Sequence, residues 1–245
     1  MNEILLYYSN IYQGDNEKIY YAIKNNKSVN VNDLEKVVNS YKQANIKFLT
    51  VLDDLYPTSL FRLKQPPFVL YYIGNIDLLN YENKVYLINE IKNDSTKKHI
   101  ENNIKQLVKN TVLVTNNYKD SEQELIQKYK DLGGSVIYLA KEGLDTITIN
   151  NFDSTKDIIL SMYPIKTHPK LKYFKQSNYI ASGLADSLIY FSSKNNSKTH
   201  NLVNYFLNVG KDIYCFPGQE LIDGNNDLIK NGARLITYIA EVINI

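Results

Sequence analysis

The sequence predicts an α/β protein built on a doubly wound, mainly parallel sheet, with a small helical appendage at its N-terminus. Three observations carry this. Short β-branched and aromatic runs recur along the later part of the 245-residue chain, stretches with apolar residues at helical spacing separate them, and Gly or Pro closes several of the runs. Strands separated by helices of this length return in the same direction, which gives parallel pairing and covers both faces of the sheet.

Residues 1–46 are expected to form the appendage. Glu17-Lys-Ile-Tyr-Tyr-Ala22 reads as one short helix. Asn32-Asp-Leu-Glu35 places a cap residue three positions ahead of an acid, and Leu34, Val37, Val38, Tyr41 and Ala44 follow at helical spacing. The sheet domain is expected over residues 47–245. Val85-Tyr-Leu-Ile88 and Thr111-Val-Leu-Val-Thr115 are apolar enough to be strands buried on both faces. Between them, Asp94 to Val108 carries Ile100, Ile104, Leu107 and Val108 on one stripe. Asp120-Ser-Glu-Gln123 reads as a capping box opening a helix with Leu125, Ile126, Tyr129 and Leu132, closed by Gly133-Gly134. Ser135–Leu139, Ser187–Phe191 and Asp212–Phe216 supply further strands. The last stops at Pro217-Gly218, because Pro217 has no N–H for a ladder and Gly218 permits a positive φ. The loop beyond such a strand end is where open α/β sheets hold ligands.

Composition narrows the function. No run of eighteen apolar residues occurs, and Met1–Tyr8 has neither a basic stretch nor a small-residue cleavage site, so a cytoplasmic protein is expected. A net charge of +2 excludes a polycation that coats nucleic acid indiscriminately; any such binding must be local. The single Cys215 lies inside an apolar strand and reads as a buried structural thiol. His99, His168 and His200 stand at no metal-ligand spacing, and neither metal nor cofactor is expected. Paired acids such as Asp53-Asp54, and Asp223 with Asp227, fall in turn contexts where carboxylates cap backbone N–H groups. No catalytic set emerges, and the protein is read as a non-enzyme.

One segment does carry binding chemistry. Lys166, Lys170, Lys172 and Lys175, with His168, lie in a stretch from Ile158 to Ala185 that contains no Asp or Glu, and Tyr173, Phe174 and Tyr179 interleave with them. Ammonium groups beside aromatic rings suit single-stranded DNA, since every nucleotide offers a phosphate and every base a π-face. Four phosphate contacts at a slope of ~0.7 each would weaken binding roughly 50-fold between about 50 and 200 mM salt. The structural alternative is a lysine-rich surface loop in which Tyr173 and Phe174 pack. Ser182-Gly183 suits close helix packing or a helix end, and Ser197-Lys198-Thr199 suits either an anion or an ordinary N-cap.

The order of motifs from Lys47 to Ile245 resembles the DNA-processing protein A (DprA/Smf) family. Asp53-Asp-Leu-Tyr-Pro57 with Leu60 is similar to its "D..YP..L" run, and Pro66-Pro-Phe-Val-Leu70 with Gly74-Asn75 to "PP.vLy..Gn". Asn178–Leu184 is similar to its "RNRiIaGLs" helix, and Phe174 and Asn178 match "K.FP.RNR". Two loops depart from the pattern. Ile88-Asn-Glu-Ile91 stands where the family has "VGSR", putting the carboxylate of Glu90 among donors that would favour a phosphate, and Thr115–Ser121 replaces a glycine-bearing signature. Of a third signature, Gly143-Leu-Asp145 remains.

The resemblance implies a Rossmann-like fold and a single-strand DNA-binding recombination mediator, which protects single strands and helps load a RecA-type recombinase during DNA uptake or recombination. It implies a homodimer. The acid-free lysine segment and the resemblance together suggest a DNA-contacting set of Lys170, Lys172, Phe174, Lys175, Asn178, Ser182, Gly183, Ser197 and Gly218, although Lys175 stands where the family has proline. Two alternatives remain open: a degenerate relative that keeps a protein-interaction surface without nucleic-acid binding, and a Rossmann-like protein that binds a nucleotide derivative, although no G-x-G-x-x-G occurs.

Overall fold

The apolar runs become strands, and the helices between them return the chain in one direction. In the computed structural model, which describes residues 1–243, the chain divides into two units: Met1–Asn80 with Leu139–Ser177, and Tyr81–Tyr138 with the described residues from Asn178 onward.

The first unit opens with three helices, α1 (Asn2–Ile11), α2 (Asn16–Lys24) and α3 (Val31–Ala44). The cap of α3 is Asn30, whose side chain accepts the N–H of Asp33, two residues earlier than the spacing from Asn32 predicts. These helices accompany strands β1 (Lys47–Thr50) and β2 (Val69–Gly74), which pair antiparallel; β2 pairs antiparallel with β6 (Ile158–Ser161). Leu6, Ile19, Ala22, Leu60, Leu70 and Tyr71 are buried here, and the ring of Tyr41 stacks on that of Tyr71 at 5.0 Å. Burial of each such aliphatic side chain contributes about 1.5–3 kcal/mol. Asp53 caps the turn after β1, its carboxylate accepting both N–H and O–H of Thr50 at 2.6 and 3.0 Å.

The second unit is the wound sheet. Its strands β3 (Lys84–Asn89), β4 (Val112–Thr115), β5 (Val136–Leu139), β7 (Ser187–Ser192), β8 (Ile213–Cys215) and β9 (Arg234–Leu235) run in the spatial order β5-β4-β3-β7-β8-β9. Every adjacent pair in that run is parallel. Numbered within the run, this is the order 3-2-1-4-5-6, the doubly wound arrangement whose ligand crevice lies where the order reverses, between β3 and β7. The register shifts at Ile88/Asn89, so that Asn89 at the β3 end pairs with Ser192 rather than Phe191. The helices are α4 (Asp94–Asn110), α5 (Gln123–Asp131), the second half of α6 (Leu171–Leu184), α7 (Asn201–Asn208) and α8 (Gly224–Lys230). Ile100, Ile104 and Leu107 of α4 are buried as the stripe predicts, and Asn93 with Thr96 forms its capping box.

Two local expectations fail. No capping box opens at Asp120: α5 starts at Gln123, and it is Glu122 that turns inward. The Glu122 carboxylate accepts from the hydroxyls of Tyr86, at 2.6 Å, and Thr115, so the β4–α5 loop is organised around a buried, hydrogen-bonded acid. Gly218 does not adopt a positive φ. Its small size is needed because a Cβ there would lie 2.6 Å from the Cβ of Asp223. Cys215 is buried, and burial pushes its thiol up to about 12.

Candidate nucleic-acid interface

In the first unit the chain leaves β6 at Ser161 and reaches α6 through a loop held from several sides. The Ser161 hydroxyl donates to the carbonyl of Glu142 at 2.6 Å, the Tyr41 hydroxyl accepts the N–H of Ile165 at 3.1 Å, and the carboxylate of Asp145 accepts the N–H of Lys166 at 2.9 and 3.0 Å. Lys166 stands at φ +62°, a left-handed conformation that these bonds must hold. Gly143 makes the approach possible, because a Cβ there would lie 2.6 Å from the carbonyl oxygen of Pro164. The Gly-Leu-Asp remnant therefore builds the loop that presents the lysines.

The first turns of α6 divide their residues between inside and outside. Tyr173 and Ser177, four apart, are buried. The Tyr173 ring stacks on Tyr163 at 3.9 Å, and the Tyr163 hydroxyl donates to Gln176 at 2.6 Å. Of the rings that sequence sets among the lysines, Tyr173 is thus packed. The exposed face carries Lys170, Leu171, Lys172, Phe174 and Lys175, with Leu171 at 88% and Phe174 at 40% exposure. Lys141, from the segment after β5, brings its ammonium 5.5 Å from the centre of the Phe174 ring. Lys170 and Lys172 lie 5.9 and 5.4 Å from the ring of Tyr173. None of Lys170, Lys172 and Lys175 pairs with a carboxylate among the described residues. Lys166 and His168 are exposed as well. Lys141 escapes the sequence reading because nothing local marks it; the packing of loop 162–170 against Gly143 brings its segment to the face.

The remaining candidates lie in the second unit, and their surroundings differ. Asn178 accepts from the Asn116 amide at 2.7 Å and the Tyr118 hydroxyl at 2.9 Å. Ser182 and Gly183 are in the interior: the Ser182 hydroxyl donates to the carbonyl of Tyr179 at 2.8 Å. The buried ammonium of Lys211 donates to the carbonyls of Ser182, Gly183 and Ala185 at 2.8, 2.9 and 2.6 Å, capping the negative end of α6. Gly218 donates its N–H to Asn226 at 3.1 Å. The Ser197 hydroxyl donates to the carboxylate of Glu90 at 2.7 Å. Among the nine, the structure brings Lys170, Lys172, Phe174 and Lys175 together on one exposed face.

The crevice of the wound sheet is lined by Asn93, Thr96, Ser192, Ser193, Gly218 and Asn225 among others, and its free volume is about 10 Å³, room for roughly one water. His200 bonds Ser193 at 3.0 Å, and burial lowers its pKa. Asn225 accepts from Ser193 at 2.8 Å and donates to the carbonyl of Phe216 at 2.8 Å. No group of His, Cys, Asp and Glu among the described residues suits a metal ion, and no helix of the described residues is long and apolar enough to cross a membrane.

Comparison with known proteins agrees with this architecture. The family model for DNA recombination-mediator protein A matches residues 144–245. DNA processing protein DprA of Streptococcus pneumoniae is 26% identical over 203 residues, covering 79% of this chain and 72% of its own length. Among solved structures, the X-ray structure of DNA processing protein A from Streptococcus pneumoniae superposes with a TM-score of 0.75 at 22% identity, over 100% of this chain and 99% of that one. A structure of DNA processing protein A from Helicobacter pylori, from work on its single-stranded DNA binding mode, has a TM-score of 0.68 at 23% identity, covering 82% and 96%. The solved structures establish the shared fold. The motif order from Asp53 to Leu184, the family-model match over residues 144–245 and the curated relatives together support membership of the DNA-processing protein A (DprA/Smf) family.

Proposed function

We propose that this protein binds single-stranded DNA through the face formed by Lys170, Lys172, Phe174 and Lys175, and acts as a recombination mediator of the DprA type. It would protect single strands and help load a RecA-type recombinase, as a cytoplasmic homodimer without catalysis of its own. The observation that carries the reading is a set of three ammonium groups with no carboxylate partner among the described residues, beside a part-exposed aromatic ring. The names of the relatives agree with it. In the second unit, Asn178 offers its amide NH₂, since its oxygen is occupied. Ser182 and Gly183 serve by shaping the C-terminal end of α6. Gly218 lines the crevice and Ser197 lies in the β7–α7 loop, and a strand end would have to displace their present partners, Asn226 and Glu90.

The degenerate-scaffold reading draws on one observation: the donors of the crevice loops are spent on the protein's own groups. Fluorescence anisotropy separates the two. With a labelled single strand at low salt the protein should bind, and prefer it over duplex. Phe174→Ala should weaken binding by the ~1–3 kcal/mol of one stacked base, roughly 5- to 150-fold, and Lys172→Glu should weaken it further at low salt. Absence of binding at low salt would leave the scaffold.

A further inference from the structure

The β3–α4 loop of the wound sheet places a carboxylate where the geometry calls for a ligand's anion. At the reversal of strand order, loops after β3 and β7 converge, and backbone and hydroxyl donors there ordinarily meet a phosphate. In this chain Glu90 meets them. Its Oε2 accepts the N–H of Lys194 at 3.0 Å and the hydroxyl of Thr199 at 3.4 Å, and its Oε1 accepts the hydroxyl of Ser197 at 2.7 Å. The donors of its own loop are spent too. The N–H groups of Glu90 and Ile91 both go to the Ser192 hydroxyl, at 3.2 and 2.8 Å, and that hydroxyl donates to Asn89 at 2.6 Å. Glu90 thus meets donors contributed by a loop more than a hundred residues away in sequence.

We infer that Glu90 is a built-in anion that occupies the phosphate position of the β7–α7 loop, and that it determines specificity by excluding free nucleotides and strand phosphates from this crevice. Carboxylate and phosphate are both anionic oxygen acceptors, and three donors that bond one can bond the other. A phosphate arriving while Glu90 is in place meets an adjacent negative charge, and finds the Lys194 N–H and the Ser197 and Thr199 hydroxyls already bonded to it. Nucleic acid is then confined to the lysine face of the first unit. This last consequence rests on the function proposed above; the occupation of the anion position does not.

The test uses inorganic phosphate as the probe and no DNA, so its failure and the failure of the DNA-binding reading are distinguishable. Glu90→Ser removes the carboxylate and leaves the Lys194 N–H, Ser197 and Thr199 donors unfilled. At 10 mM phosphate its thermal midpoint should rise by about 3–5 °C over the same concentration of chloride, for a millimolar site, while the unmodified protein stays within about 1 °C. Glu90→Ser combined with Ser197→Ala should lose most of the rise. If Glu90→Ser does not fold by far-UV circular dichroism, Glu90→Gln, which keeps the shape and drops the charge, takes its place and should show a smaller rise in the same direction. A folded Glu90 variant that gains no phosphate stabilisation, or an unmodified protein that gains as much as the variant, overturns the inference.

Discussion

The rings of Tyr163 and Tyr173 stack 3.9 Å apart with their planes at 29°, fastening the start of α6 to the loop that follows β6. Because Tyr173 is drawn inward, the residues on either side of it, Lys172 and Phe174, are turned out. Replacing Tyr173 with Ala should cost about 3–5 kcal/mol, the range for a buried aromatic truncated to Ala, read as a lowered urea midpoint. Tyr173→Phe should retain most of the stability, since stacking does not need the hydroxyl. Equal losses in both variants would show that the ring is not what holds the helix.

Lys211 should be intolerant of truncation. Its buried ammonium serves three carbonyls at the end of α6, and Lys211→Met would leave those acceptors in the interior without their donor. The expected loss is about 3 kcal/mol or more, on the scale of unsatisfied buried polar groups. Denaturant unfolding measures it, and a change below about 1 kcal/mol would contradict the capping role.

Stability should fall in alkali before most globular proteins lose theirs. Burial raises the phenols of Tyr56, Tyr71, Tyr86, Tyr129, Tyr163 and Tyr190 above 10.0, and the Cys215 thiol from 9.0 to about 12. These groups are neutral when protonated, so a raised folded pKa means that the unfolded chain releases its protons first. The stability they contribute is complete below about pH 9 and is lost as pH rises toward the folded values. The part of the phenolate absorbance that comes from these six rings should therefore appear together with loss of far-UV circular dichroism. Ionisation of all 21 tyrosines in a protein that is still folded would contradict the burial of these rings.

Cys215 should resist thiol reagents in the native state. It is buried, and its raised pKa keeps the thiolate scarce at neutral pH. Labelling by an aromatic disulfide reagent should proceed at the rate of global opening and accelerate with urea. Fast labelling of the folded protein would place the thiol at the surface.

Sequence disclosed the wound sheet because β3, β4, β5, β7 and β8 are uninterrupted apolar runs, buried on both faces, and such runs announce themselves without a partner. The strands β1, β6 and β9 did not stand out. β1 and β9 carry exposed residues and are defined by their ladder partners rather than by their own pattern, whereas β6 is a buried apolar run of four that the sequence reading passed over. The misplaced cap of α5 has a similar cause. Glu122 obeys Tyr86 and Thr115, which come from β3 and the end of β4, and no local pattern reports a buried hydroxyl thirty-six residues away. At the candidate site the lysine run was legible as charge. The inward turn of Tyr173, the arrival of Lys141 over Phe174 and the bonding of Glu90 to Ser197 are products of tertiary packing.

The salt dependence of single-strand affinity tests the central claim most directly. Plotted as log K against log salt, the unmodified protein should fall with a slope near −2.8, about 0.7 for each of Lys166, Lys170, Lys172 and Lys175, and replacing Lys170, Lys172 and Lys175 together with Ala should flatten it to about −0.7. A slope near zero, or one that the triple variant leaves unchanged, would show that the acid-free face of α6 is not where the strand is held.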